Sequence, residues 1–175
     1  MKKLLAMMIA MALVIALMAS CGSDDKQTSS QEPDESSVTE QLTDDTLGDI
    51  FKEASEIGDG TAGVSLKRTQ IAAKIASYAA VIGFTNDSVE SLKEEMLAKY
   101  NALDDQGREN LDNAFMDAIQ LLDKAIDDGD YDSVKGQFED AGAAEGFDTV
   151  LKAPGLKESY DTFKSAYLTM GNSED

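Results

Sequence analysis

From about Asp44 to the C-terminus, the apolar residues of this 175-residue chain recur every three and four positions, and no segment alternates apolar with polar residues. An α-helix advances 3.6 residues per turn, so that spacing gathers the apolar side chains on one face; strands would need a period of two. Leu47, Ile50, Phe51, Ala54 and Ile57 make the first such stripe, followed by Val64, Ile71, Ile75, Tyr78 and Ile82. Val89, Leu92, Met96, Tyr100 and Leu103 make the third, and Leu111, Phe115, Ile119, Leu122 and Ile126 the fourth. A shorter stripe carries Tyr131, Val134, Phe138 and Ala141, and the last carries Leu156, Tyr160, Phe163, Tyr167 and Met170. The predicted fold is therefore all-α, an irregular bundle of roughly five or six mostly antiparallel helices joined by short turns. Roughly 130 residues suffice for one core and are too few for two.

The punctuation between stripes agrees with helix ends. Gly58, Gly60 and Gly63 read as a helix stop and turn; they follow a helical pattern, and no lysine completes a phosphate-binding loop. Gly83 and Gly129 close the second and fourth stripes, Asp87 with Glu90 suggests a capping box, and Asp130 is placed to cap the fifth element. Residues Gly142 to Gly146 read as a turn, after which Pro154 suits the first turn of the last helix. Aromatic residues at helical spacing, such as Tyr160, Phe163 and Tyr167, read as core. The turns near Gly58 and Gly129 have flanks that do not align, so no repeat array is expected.

Composition removes whole classes of chemistry. The chain has no His and no Trp and a single Cys, which excludes Ser-His-Asp and Cys-His catalysis and any His- or Cys-ligated zinc or iron site built from this chain alone. What remains is carboxylate, hydroxyl or lysine chemistry, or a hard cation held by oxygen. The 34 acidic and 15 basic residues give a net charge of −19, which repels nucleic acid phosphates; no nucleic acid partner and no cofactor are expected.

One acidic window resembles a known motif. Asp128, Asp130, Asp132 and Glu139 occupy the first, third, fifth and twelfth positions of a twelve-residue stretch, where the EF-hand calcium loop carries side-chain oxygens. The window departs from that loop at its sixth position, where Ser133 replaces the glycine of the sharp turn, and at its eighth, where Lys135 replaces an apolar residue. The reading adopted is an acidic helix-helix turn, with no metal and no catalytic residue assigned, these four carboxylates being the only metal candidates.

The N-terminus carries an address. Lys2 and Lys3 precede an uncharged run from Leu4 to Met18, about 15 residues against the roughly 20 that a membrane-spanning helix needs. Leu17, Met18, Ala19, Ser20 and Cys21 follow in order, with Met18 standing where a leucine is commonest. This resembles the lipobox of bacterial lipoproteins. The resemblance implies that residues 1–20 are a signal peptide removed by cleavage, and that Cys21 carries a diacylglycerol on its sulfur. It also implies a chain held at the extracytoplasmic face of the cell membrane through that covalent lipid. Two acyl chains anchor stably without a transmembrane helix. Residues 21–43 then form the lipidated cysteine and an acidic tether too poor in apolar residues to fold, spanning roughly 25 Å, before a helical domain at 44–175. With Lys2 and Lys3 removed, 13 basic against 34 acidic residues leave −21. The expected function is a non-catalytic binding or interaction domain, with an envelope protein or peptide as its partner. A module binding calcium or another cation through the Asp128 loop and a carboxylate-dependent envelope enzyme are the alternatives.

Overall fold

The computed structural model describes residues 46–82 and 88–171. Residues 1–45, among them Cys21 and the stretches read above as signal peptide and tether, lie outside the described residues, as do Gly83 and Asp87. Among the described residues there are seven α-helices and no strand: α1 (46–55), α2 (Val64–Ile82), α3 (Val89–Asn101), α4 (Asp105–Leu122), α5 (Lys135–Asp140), α6 (Ala144–Val150) and α7 (Leu156–Met170). A π-helical turn, Asp123–Asp127, prolongs α4, and a 3-10 turn, Tyr131–Ser133, precedes α5. No described helix is long and apolar enough to cross a membrane.

The chain is an irregular all-α bundle with α2 at its hub. That helix packs against α4, α5, α6 and α7, while α3 packs on α7. A helix contacted on so many sides needs small residues where neighbours come close, and α2 supplies Ala72, Ala73, Ala76, Ala79 and Ala80, all buried. Two of its buried hydroxyls are satisfied within the helix: Thr69 Oγ1 donates to the Ser65 carbonyl at 3.0 Å and Ser77 Oγ to the Ala73 carbonyl at 2.9 Å.

Phe115, fully buried in α4, is the centre of the aromatic core. Its ring centroid lies 5.1 Å from Phe51, 6.1 Å from Phe163 and 4.9 Å from Tyr167, so α1, α4 and α7 meet on one side chain. Asn110 Nδ2 donates to the Ser55 carbonyl at 2.8 Å and fixes the end of α1 to the start of α4. Asp112 ties three helices polarly, accepting from Tyr100 of α3 at 2.9 Å and from Tyr167 of α7 at 2.8 Å. A second aromatic group closes the α5–α6 end, with Phe138 stacked on Phe147 at 4.1 Å and Tyr131 against both.

Four local expectations are corrected. The run from Gly142 to Gly146 is largely helix: Gly142, at φ +68°, ends α5 in a Schellman closure, and α6 begins immediately. The Ala143 amide returns to the Phe138 carbonyl at 2.8 Å and the Gly142 amide to the Glu139 carbonyl at 3.0 Å. Phe147 and Val150 then bury the new helix. At α3 the N-cap is Ser88, which has the extended backbone that a cap requires and whose side chain accepts from the Ser91 amide at 3.2 Å. Pro154 lies ahead of α7 rather than in its first turn, since Gly155 holds the N-cap position. Asp130 makes no side-chain cap, and its carbonyl takes the turn's hydrogen bonds instead.

Candidate functional site

A groove of about 720 Å³ opens where the start of α2, the end of α4 and the Asp128 turn converge. Each element reaches it for a local reason. Helix α2 presents Val64, Ser65 and Arg68 from its first two turns, and α4 presents Asp117, Gln120 and Leu121 from its last two. The π turn then widens the backbone: the Asp128 amide reaches back five residues to the Asp123 carbonyl, and the Asp130 amide six to the Lys124 carbonyl, both at 2.9 Å. Gly129 permits this reversal with φ +66°. It redirects the chain so that Ser133, Val134 and Gln137 form the remaining wall.

The charges in the groove are spoken for. Arg68, only 13% exposed, donates through Nη1 to Asp117 and through Nη2 to Asp59, both at 2.8 Å. Burial alone would lower the Arg68 pKa, but hydrogen bonds to Asp117 and Asp59 outweigh it and raise it. The Arg68 Nε is buried without a hydrogen-bond partner. Asp123 turns toward α7, where it accepts from Lys164 at 2.6 Å and from the Tyr160 hydroxyl at 2.8 Å. Asp127, next along, takes Lys157 and Lys164. Burial would raise its pKa, yet the hydrogen bonds from Lys157 and Lys164 hold the carboxyl below its ordinary value. Lys124 and Asp128 face each other at 3.6 Å on the exposed lip.

Uncommitted hydrogen-bonding capacity remains in neutral groups. Among the described residues Gln120, Gln137 and Ser65 make no side-chain hydrogen bond, and all three are exposed. Between them the groove offers the apolar Val64, Leu121 and Val134. Such a surface can hold a ligand by amide hydrogen bonds and small apolar contacts. Its Thr69 and Ser133 hydroxyls donate to backbone carbonyls, and its Lys124 faces Asp128.

Of the four carboxylates singled out in sequence, only Asp128 lines this groove. Asp130, Asp132 and Glu139 are exposed and do not line it. The left-handed residue of the turn is Gly129, second in the window; Ser133, sixth, lies in the 3-10 turn, with its Oγ donating to the Asp130 carbonyl at 2.8 Å. The chain therefore does not wrap its carboxylates around a point as an EF-hand loop does. Among the described residues no group of three or more acidic, His or Cys side chains is arranged to hold a metal ion. The groove residues Arg68, Gln120 and Gln137 were not visible in sequence as a set. Arg68 carried no signal of its own, since Lys67 and Lys74 lie on the same helix.

Comparison with protein-family models, with curated proteins and with solved structures gives no significant match.

Proposed function

We propose that this chain is a lipid-anchored extracytoplasmic protein whose helical domain binds a partner and performs no chemistry on it. The observation that carries the binding role is the groove beside the Asp128 turn. Its ionised side chains are paired with one another while Gln120, Gln137 and Ser65 stay open to a ligand. The volume, about 720 Å³, falls within the range of roughly 300 to 1,000 Å³ common to ligand pockets. The anchoring role rests on Leu17 to Cys21 and on the acidic, apolar-poor tether that follows.

The anchor is tested by feeding a clickable fatty acid to bacteria producing the full chain and its Cys21→Ser variant. The native chain should become labelled and partition with membranes, while the variant should accumulate unlabelled as precursor. Labelling that persists in Cys21→Ser would overturn the anchor. For the binding role, a photo-crosslinker placed at Ser65 of the full chain in intact bacteria should give a discrete adduct, and replacing Gln120 and Gln137 together with Ala, at unchanged protein level, should abolish it. Equal loss on replacing any exposed carboxylate would point to surface charge in place of a site.

A further inference from the structure

Resting on that binding role, we propose that the groove docks a short cationic peptide segment of an extracytoplasmic partner, laid along the Asp128 turn. The interior chemistry selects the ligand first. Gln120 from α4 and Gln137 from α5 each offer one amide donor group and one carbonyl acceptor, the complement of a peptide backbone's own N–H and C=O. Val64, Leu121 and Val134 leave room for short aliphatic side chains between them. An anionic ligand finds no open cation, because Arg68 is held by Asp59 and Asp117 and Lys124 faces Asp128.

Charge then sets the sign of the flanking side chains. Asp130 and Asp132 belong to the turn that forms one wall, between the groove residues Asp128 and Ser133, and both are exposed with no ion pair among the described residues. On a chain of net charge −19, lysine or arginine side chains emerging from the groove would meet these carboxylates, speeding encounter and fixing orientation. A neutral glycan would use the groove's amides and leave the acidic rim idle.

The test uses the full chain purified in non-ionic detergent, titrated calorimetrically with the peptide amide Lys-Val-Lys-Ala-Lys-Val and with its Glu-for-Lys counterpart. Three pairs of substitutions are compared. Gln120→Ala with Gln137→Ala should weaken binding of the basic peptide about tenfold or more. Asp130→Asn with Asp132→Asn should weaken it several-fold, by about threefold or more, and flatten its salt dependence. Glu94→Gln with Glu109→Gln removes the same charge from exposed positions on α3 and the first half of α4, which do not line the groove, and should change affinity less than about twofold. Absence of saturable binding, equal binding of the acidic peptide, equal loss in the Glu94/Glu109 pair, or displacement of the peptide by maltotetraose would each overturn the proposal. Because lipid labelling of Cys21 is read independently, failure of peptide binding leaves the anchor standing, and failure of labelling leaves the groove result intact.

Discussion

At the scale of single residues the core is set by rings whose hydroxyls are tied off. Phe115 contacts Phe51, Phe163 and Tyr167 and has no exposed surface, so Phe115→Ala should cost about 3 to 5 kcal/mol in urea denaturation. A cost under about 1 kcal/mol would mean that the helices can collapse into the space. The tyrosines make a second prediction. Burial first, then the carboxylate that accepts the hydroxyl, raises the pKa of Tyr160 beside Asp123 and of Tyr167 beside Asp112. The folded chain therefore holds these phenolic protons more tightly than the unfolded chain does. Their contribution to stability is fully present below the ordinary tyrosine pKa of about 10 and is lost as pH rises above it. Tyrosinate absorbance of these groups should appear only with alkaline unfolding, and a titration preceding loss of the helical circular dichroism signal would contradict it. Spacing alone marked Tyr160, Phe163 and Tyr167 as core. Their polar partners were illegible, because Asp123 and Asp112 lie 37 and 55 residues away in the chain and look like any other acid in an acidic sequence.

Among the elements, the long stripes were legible and the short connections were not. Every residue of the first stripe is buried, and so is every residue of the last. Helix α6 escaped notice because it starts directly after a glycine turn, contains Gly146 and has only Phe147 and Val150 to bury, too few for a period to emerge. The glycines give a paired prediction. At Gly129, with φ +66°, a side chain is strained whatever the space, so Gly129→Ala should cost on the order of 1 kcal/mol or more. Gly136 lies within α5, and an added Cβ there would meet nothing within 4 Å, so Gly136→Ala should stabilise by about 0.5 to 1 kcal/mol. Thermal melts of the two variants should move in opposite directions. Calcium tests the same turn from another side. With Ser133 in the 3-10 turn and the carboxylates apart, calorimetry should detect only weak, salt-screened binding, unchanged by Asp130→Asn with Asp132→Asn. Micromolar binding abolished by that pair would restore the EF-hand resemblance.

For the molecule as a whole, one connected core runs from Leu47 to Met170, and Thr46 at its edge is already buried. A chain beginning at Asp44 should thus melt cooperatively as a helical monomer, with the same midpoint as a chain beginning at Cys21; a drop of several degrees would show that the tether contributes packing. The bundle was legible because a repeating apolar period survives any choice of surface residues. The groove was not, because it is assembled from α2, α4 and the Asp128 turn by a change of helical pitch that no residue type announces. That pitch change has an evolutionary reading. The π turn at Asp123–Asp127 spends one residue more than an α-helical path needs, and removing Lys124 alone would let α4 run on unbroken. Because the wide turn absorbs that residue, the chain beyond it would keep its phase, and Asp127 would still face Lys157 and Lys164. A descendant that lost Lys124 would keep the pairs of Lys157 with Asp161 and of Lys164 with Asp123, and would lose only the pair with Asp128 at the groove's lip. Chain length at this turn should therefore vary between descendants without a matching change of charge in the last helix.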